Sequence, residues 1–231
     1  MEVQKYSAKI RAKKQLTPDI FECQFEKPAG FEFLAGQFVQ FLIDCEGKTK
    51  LLAYSISSIP SDDFIEFCIK IHDDGVGCQY VLKMTENDVL DFQGPRGLFV
   101  HKENHTALSF VATGTGIAPI FGIIRDELEN KNNSGELKLL FGVRSEEDLF
   151  WIDRLKALKE KYINFSYEIA LSQAKPDGGW GGLRGRVTEH ILHHLVSHKF
   201  YICGSAAMIK DVREILIKNG VEAKAIHFEV F

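Results

Sequence analysis

A stretch with the order strand, glycine turn and helix occupies residues 108–122 and constrains the fold more than any other part of the chain. Residues 108–112 form an apolar run typical of a buried strand, and Gly114 and Gly116 follow as a tight turn. The next segment has helical periodicity and carries Pro119 in its first turn, where a missing N–H is tolerated. Glycines and free helix N–H groups together favour a bound phosphate. The pattern alone fits an ordinary strand-to-helix turn equally well.

The C-terminal half continues this alternation of strands and helices. Strands are predicted at 108–112, 137–142, 165–171, 199–203 and 225–231, and helices at 117–130, 149–161, 188–194 and 206–219. Such alternation predicts a parallel sheet with both faces covered. Ligands of these sheets bind beyond the carboxyl ends of the strands. The Gly114 turn and a second turn at Cys203-Gly204-Ser205 both follow a strand in this way.

The N-terminal half has the pattern of short β-strands separated by turns. Strands are predicted at 5–14, 20–25, 38–44, 51–57, 64–71 and 89–93, with a single helix at 78–84. Their number and spacing predict a closed antiparallel barrel, in which Lys5 to Lys14 resembles an edge strand. A polar joint at 101–105 separates the two patterns. We therefore expect two domains, at residues 1–102 and 103–231.

Composition excludes several classes of function. The formal net charge of −4 gives no polycation to hold nucleic acid. No apolar run approaches the length of about 20 residues that a membrane span requires, and the first residues lack the apolar core of a signal peptide. The five cysteines form no C-x-x-C pair, so neither a zinc site nor an iron–sulfur cluster is predicted. The sequence predicts a cytoplasmic protein without a metal.

Seven short motifs, taken in order, resemble those of the ferredoxin–NAD(P) reductase family, which includes flavin reductases and the reductase components of oxygenases. They begin at Gly36, Ala53, Gly75, Gly94, Ala112, Phe141 and Tyr201. Single motifs of this length are weak, but seven in order over the whole chain are specific. The resemblance implies a flavin-binding barrel followed by an α/β domain that binds a nicotinamide dinucleotide. The implied cofactors are FAD and either NADH or NADPH.

The resemblance assigns flavin contacts to the first domain. Tyr54 would lie against the flavin, Ser55 would hydrogen-bond it near the reacting nitrogen, and backbone N–H groups from Gly75 to Cys78 would receive its phosphate. The terminal Phe231 would stack on the ring, with the carboxylate of Glu229 two places earlier. The complete implied flavin set is Tyr54, Ser55, Ile69, Lys70, Gly75, Gly77, Cys78 and Phe231. From the residues alone, Phe231 fits a packed edge strand equally well.

In the second domain, the resemblance implies that the dinucleotide pyrophosphate is held by Thr113, Gly114, Thr115 and Gly116. Cys203 and Gly204 would flank the nicotinamide, and Arg144 would contact the dinucleotide. Ser55, Cys203, Glu229 and Phe231 are the implied catalytic residues. A lone cysteine is more often a small buried side chain, and that interpretation of Cys203 stays open.

Two positions depart from the family pattern. Leu52 stands where the family has an arginine that pairs with the flavin pyrophosphate, and Lys50 or Lys70 could supply the charge instead. Cys78 stands where the family has Ser or Thr, so a side-chain donor is replaced by a weak one. The departures make loose binding of FAD conceivable.

The residues favour NADH over NADPH by a small margin. The segment after the second α/β strand, 144–148, is mostly acidic, and Gln173 lacks the charge that NADPH-using relatives have there. Against this, Arg144, Lys175, Arg184 and Arg186 could reach a 2′-phosphate.

The predicted function is an FAD-dependent NAD(P)H reductase that passes electrons to a separate acceptor such as a ferredoxin, a flavodoxin or an oxygenase component. The chain carries no cluster ligands of its own. One alternative is a flavin reductase that uses free flavin as a substrate. Another is a non-catalytic, nucleotide-binding regulatory module on the same scaffold.

Overall fold

The N-terminal half is a six-stranded antiparallel barrel. A computed structural model of the chain describes residues 4–45, 47–71, 75–103, 106–175, 178–194 and 199–230. The strands are β1 (Lys5–Gln15), β2 (Ile20–Glu26), β3 (Phe38–Cys45), β4 (Lys48–Ser55), β5 (Phe64–Lys70) and β6 (Val89–Arg96), with helix α1 (Val76–Lys83) between β5 and β6. Their order is β4-β3-β6-β1-β2-β5, and an antiparallel bridge between Ile56 and Phe67 joins the two ends.

Strand β1 is not an edge strand, contrary to the sequence prediction. It lies between β6 and β2 and pairs with both. Its polar residues face outward from the barrel, whereas Ala8 and Ile10 are buried. A barrel strand with one solvent-exposed face therefore contains both polar and apolar residues, as an edge strand does. The barrel core is rich in aromatic rings, and Phe67 packs edge-on against both Phe25 and Phe41.

The C-terminal half is a parallel sheet with helices. It contains β7 (Leu108–Thr113), β8 (Leu137–Val143), β9 (Phe165–Leu171), β10 (Leu183–Arg184), β11 (Phe200–Gly204) and β12 (Ile226–Val230). The helices are α2 (Ile117–Arg125), α3 (Ile152–Lys161), α4 (Val187–His190) and α5 (Ala206–Lys218). The strand order is β10-β9-β8-β7-β11-β12, so the chain reverses direction across the sheet at β7 and β11. The predicted fold class is confirmed.

Several helix boundaries differ from the prediction: α1 begins at Val76 rather than at residue 78, and α4 ends at His190 although the helix was predicted to reach residue 194. Helix α3 begins at Ile152 rather than at residue 149, because Leu149 is extended and Trp151 adopts a left-handed conformation with φ 58°. Helix α2 changes to π geometry over Asp126–Asn130. Strand β10 was not predicted, since a two-residue strand carries too little pattern.

The two halves share one hydrophobic core. Its members come mainly from the parallel sheet and its helices, but the barrel contributes Ile20, Ala35, Cys68 and Phe99. A Cβ added at Gly36 would overlap the Phe99 carbonyl oxygen and touch Ile123 of α2. The halves therefore pack directly on each other.

A buried polar network lies at the joint between the halves. Glu127 is fully buried and receives hydrogen bonds from Lys131 Nζ at 2.6 Å and from Asn133 Nδ2 at 2.7 Å. His101 Nδ1 lies 2.8 Å from Glu127 Oε1. Lys131 also donates to the His101 carbonyl, which ties the linker to the end of α2. Asn104 and His105 of the predicted joint lie outside the described residues.

Neither a membrane span nor a metal cluster is found in the described part of the chain. None of its helices is both long and apolar enough to cross a bilayer. Its His, Cys, Asp and Glu side chains form no group of three that could hold a metal. All five cysteines are free thiols.

Candidate functional site

A cavity of about 1080 Å³ lies between the barrel and the parallel sheet. The barrel side consists of β4, β5 and the start of α1, and the other side consists of the turns after β7, β8, β9 and β11. The predicted site residues that line it are Tyr54, Ile69, Lys70, Gly75, Gly77, Cys78, Thr113, Gly114, Thr115, Arg144 and Gly204. The cavity opens where the strand order reverses, which is the usual ligand position in such sheets.

The barrel wall presents the N-terminus of α1 to the cavity. Gly75 precedes the helix in an extended conformation, and no side chain caps the first turn. A Cβ at Gly77 would overlap the Leu52 side chain and the Tyr54 hydroxyl, so glycine lets the helix approach β4 closely. The uncapped N–H groups and the helix dipole suit a phosphate.

Lys50, Leu52 and Tyr54 alternate along β4 and all line the cavity. The Tyr54 ring packs on Phe41 at 4.5 Å, and burial raises the pKa of its hydroxyl to about 12. Lys70 Nζ is held 2.9 Å from Asp19 Oδ2. Lys50 has no ion-pair partner among the described residues, so it is the cation of this wall that is available to a ligand.

The opposite wall is built around the Gly114 turn. Gly114 has φ +55° and faces open space, whereas a Cβ at Gly116 would overlap the backbone of Cys203. Gly204, with φ +149°, packs as closely on the Thr113 hydroxyl. The turns after β7 and β11 therefore lie against each other. No side chain caps the Gly114 turn or the first turn of α2. A second phosphate cradle results.

Three of the predicted catalytic residues meet where the two halves join. Ser55 Oγ donates a hydrogen bond to Glu229 Oε1 at 2.9 Å, and Glu229 pairs in register with Cys203. Burial raises the pKa of the Glu229 carboxyl, an effect that the Ser55 hydrogen bond partly offsets. Burial and the nearby Glu229 also raise the pKa of the Cys203 thiol, which stays neutral.

Some predicted residues do not line the cavity. Ser55 and Cys203 are buried beside it, next to the lining residues Tyr54 and Gly204. Gly116 is the buried last residue of the Gly114 turn. Phe231 lies outside the described residues.

The rim of the cavity carries charges of both signs. Arg144, Asp148, Ser172, Gln173 and Arg186 line it. The Asp148 carboxylate accepts hydrogen bonds from the Ser145 N–H at 2.8 Å and from its hydroxyl at 2.7 Å. Both hydrogen bonds end on Asp148 Oδ2, so Oδ1 can still accept a hydrogen bond from a ligand.

The other cations considered from the sequence differ in availability. Arg184 donates to the carbonyls of Lys175 and Gly178, and neither Arg184 nor Lys175 lines the cavity. The guanidinium groups of Arg144 and Arg186 have no carboxylate partner in the described structure. These two arginines are the cations that face a ligand at the rim.

Several lining residues were missed by sequence reasoning. Ile20, Cys68 and Phe150 form an apolar part of the wall, and Ala207 and Met208 come from the first turn of α5. The α5 pair follows the Gly204 turn and could have been found by the logic applied to Gly114. The apolar residues carry no signal that separates them from core residues.

The donor set fits two nucleotides rather than one. On each wall, glycines form part of a phosphate cradle, and a Cβ at some of these glycines would overlap neighbouring atoms. Each wall also has at least one cation that lines the cavity. The cavity volume of about 1080 Å³ lies just above the range of about 300–1,000 Å³ that is common for one small ligand. FAD against the barrel and a nicotinamide dinucleotide against the parallel sheet fit these residues.

Two protein families match the chain. "Oxidoreductase FAD-binding domain" matches residues 7–101, and "Oxidoreductase NAD-binding domain" matches residues 110–214. "Ferredoxin--NADP reductase B" of Sorangium cellulosum is 33% identical, over 99% of this chain and 98% of that protein. A ferredoxin--NAD(P)(+) reductase component of naphthalene 1,2-dioxygenase/salicylate 5-hydroxylase systems from Ralstonia is 31% identical, over 96% of this chain and 67% of that protein.

Solved structures have the same fold. A ferredoxin NADP+ reductase from Neisseria gonorrhoeae with bound FAD and NADP superposes with a TM-score of 0.82 and 25% identity, over 99% of both chains. The Amycolatopsis cytochrome P450 reductase GcoB gives a TM-score of 0.88 at 22% identity, over 99% of this chain and 70% of that one. At that identity the second likeness concerns the fold alone.

Proposed function

The chain belongs to the ferredoxin–NAD(P) reductase family of FAD- and NAD-binding oxidoreductases, and from this premise we propose that it delivers electrons from NAD(P)H to a separate redox protein. The observation that carries the proposal is the cavity with a phosphate cradle on each wall and the Ser55–Glu229 pair beside it. Ferredoxin, flavodoxin and an oxygenase component are the proposed acceptors. Transfer to a separate protein is supported by the relatives, which are named as a ferredoxin--NADP reductase and as the reductase component of dioxygenase systems.

We assign one cofactor to each wall of the cavity. When bound, FAD accepts a hydride from the nicotinamide and releases its electrons to the acceptor. The α1 N-terminus and Lys50 hold the phosphates of one cofactor, and the Gly114 turn holds those of the other. Ser55 keeps a hydroxyl proton at Oγ, directed to Glu229, beside the lining residue Tyr54. Ser55 is buried, whereas Glu229 is half-buried.

A reductase of free flavin is the second candidate. The observation that favours it is Leu52, whose side chain packs on Gly77 where the family has an arginine. Without that bidentate cation the flavin pyrophosphate loses a strong, oriented contact. A loosely held flavin would then exchange between turnovers.

The absorption spectrum and anaerobic reduction separate these functions. We expect protein that stays yellow on dialysis and whose flavin band bleaches on mixing with NADH or NADPH in a stopped-flow instrument. Colourless protein that reduces added flavin would favour the second candidate. Absence of bleaching with both nucleotides, even with FAD added, would leave the non-catalytic module as the remaining interpretation.

Lys50→Ala is expected to weaken FAD binding about tenfold, because a charge-assisted hydrogen bond to phosphate contributes about 1.5–3 kcal/mol. The dissociation constant is measured by quenching of flavin fluorescence. Riboflavin, which lacks the phosphate, should bind equally to both proteins.

Lys48→Ala is the matched control for this substitution. Lys48 lies on the same strand, is exposed and does not line the cavity. It should leave FAD affinity within a factor of about two. Equal weakening by Lys48→Ala, or weakened riboflavin binding by Lys50→Ala, would contradict a direct phosphate contact.

The rim supports the use of NADPH, although the sequence favoured NADH. Arg144 and Arg186 line the cavity, have no carboxylate partner among the described residues and are available to a 2′-phosphate. Combined Arg144→Ala and Arg186→Ala is expected to raise the KM for NADPH about tenfold and to leave the KM for NADH within about twofold. Equal effects on both nucleotides, or no effect on either, would contradict a contact between these arginines and the 2′-phosphate.

A further inference from the structure

One arginine of the parallel-sheet half binds two carboxylates of the barrel. Arg154, on α3, places Nη1 2.8 Å from Glu22 Oε2 and 2.9 Å from Glu66 Oε1. Glu22 lies on β2 and Glu66 on β5, and these two strands pair side by side. Arg154 therefore joins α3 to two adjacent strands of the other half.

Aromatic rings fix the position of this guanidinium. It stacks over the rings of Phe121 and Trp151 at 4.5 and 4.6 Å. Trp151 Nε1 donates to Glu22 Oε2 at 2.7 Å. The side chain of Glu66 is 1% exposed and that of Glu22 14%, so the charges are largely withdrawn from water. We call Glu22, Glu66, Trp151 and Arg154 the interdomain clamp.

The clamp is continuous with both walls of the cavity. Ile20 and Cys68, from the two clamped strands, line the barrel side, and Cys68 pairs in register with Glu22. Phe150, which precedes Trp151, lines the other side and packs edge-on against the Trp151 ring. The left-handed backbone of Trp151 is uncommon for a non-glycine residue and turns Phe150 toward the cavity wall.

We infer that Arg154 is a positioning residue for hydride transfer: it fixes the separation of the two walls and thereby the alignment of the cofactors bound to them. The inference rests on the proposed function. Transfer requires the reacting atoms to be about 3–3.5 Å apart, and a displacement of about 1 Å can cost 10²-fold in rate. Without Arg154, the carboxylates of the buried Glu66 and the partly buried Glu22 would lie close together with no cation, and the attraction that holds β2 and β5 to α3 would be lost.

Arg154→Ala is tested beside Arg154→Lys and the matched control Arg125→Ala. Arg125 also joins the halves, because its Nη1 and Nη2 lie 2.8 and 3.1 Å from the carboxylate of Asp62. Neither Arg125 nor Asp62 lines the cavity. Four quantities are measured: the FAD dissociation constant, the NAD(P)H dissociation constant, the limiting rate of anaerobic flavin reduction with its deuterium isotope effect, and the Tm.

For Arg154→Ala we expect the limiting rate to fall about tenfold or more and the isotope effect to change, while both dissociation constants stay within about threefold. Arg154→Lys should recover part of the rate, since an ammonium group can reach one of the carboxylates. Arg125→Ala should lower the Tm but leave the rate within about twofold.

Two results would overturn the inference: an unchanged limiting rate in Arg154→Ala, or an equal slowing in Arg125→Ala, which would indicate general loosening. If Arg154→Ala does not fold, Trp151→Phe removes one donor to Glu22 and keeps an aromatic ring, so the rate should still fall. Unchanged rates in Trp151→Phe and Arg154→Lys would then overturn it. Failure of the proposed function is distinguishable, because the wild-type flavin would not bleach with either nucleotide.

Discussion

Glu127→Ala is expected to lower the free energy of unfolding by about 3–5 kcal/mol, because the residues that hydrogen-bond this buried carboxylate would lose their partner. Lys131 and Asn133 both donate to Glu127, and His101 Nδ1 lies at hydrogen-bond distance. The network ties the linker between the halves to α2, so its loss weakens the joint as well as the helix. Urea unfolding followed by tryptophan fluorescence measures the change.

The pH dependence of this effect has a definite sign. Burial tends to raise the pKa of Glu127, but hydrogen bonds from His101, Lys131 and Asn133 outweigh burial and hold it below the usual value of 4.5. A carboxyl whose pKa is lower in the folded state than in the unfolded state stabilises the fold at pH values above the unfolded pKa. That contribution is lost as the pH falls through the folded pKa. The stability gap between wild type and Glu127→Ala should therefore be full above about pH 5 and narrow in acid.

Glu214→Ala is the control for this stability measurement. Glu214 is exposed, and its Oε1 lies 3.9 Å from Lys210 Nζ one turn away on α5. Such surface pairs contribute about 0–1 kcal/mol, so the change should be small at every pH. A comparable loss in Glu214→Ala, or a gap for Glu127→Ala that widens in acid, would contradict the account of the buried network.

Ser55→Ala is expected to slow flavin reduction by NAD(P)H about 10²-fold, because it removes the hydroxyl that orients the Glu229 carboxyl beside the cavity, and misplacement of a group near the reacting atoms can cost about that much in rate. Ser55 is buried and does not line the cavity, so removal of Oγ leaves the cavity lining unchanged. The limiting rate in anaerobic stopped-flow mixing measures the effect. FAD affinity should be nearly unchanged.

Glu229→Gln distinguishes a catalytic role from a structural one. Burial raises the pKa of Glu229 above 4.5, so its ionised form costs stability as pH rises through the folded pKa. Glu229→Gln should therefore leave the protein at least as stable at pH 7 while it slows flavin reduction. The control is Ser7→Ala, which removes an exposed hydroxyl that donates to Asp91 and does not line the cavity between the halves. Slowing by Ser7→Ala equal to that by Ser55→Ala would contradict the role of Ser55.

Local pattern predicted the parts of the site that glycine builds. Gly75, Gly77, Gly114 and Gly204 each follow or begin a periodic segment, and each proves to line the cavity. Their positions are predictable because a turn between a strand and a helix is determined by neighbouring residues. The strands of both sheets except the two-residue β10 were predictable for the same reason, since one buried face imposes a period of two or a continuous apolar run.

Pairing between distant charges was beyond the sequence. Lys50 and Lys70 were equivalent candidates until the structure joined Lys70 to Asp19. Glu22 and Glu66 occupy strand positions where carboxylates usually face water, and nothing in the pattern links them to Arg154. The left-handed conformation of Trp151 was equally unpredictable, because no local residue requires it. The Lys70–Asp19 pair depends on packing within the barrel, and the Arg154 contacts depend on packing between the two halves.

The core shared between the halves has a consequence for how such proteins can be recombined. Ile20, Ala35, Cys68 and Phe99 of the barrel are buried against helices and strands of the other half. If the chain were cut near residue 103, each fragment would expose a hydrophobic patch to solvent. Separately produced fragments should therefore aggregate. A chimaera that takes its two halves from different homologues would need residues at these four positions that pack well against the other half. Poor packing at this interface would limit which halves can be exchanged.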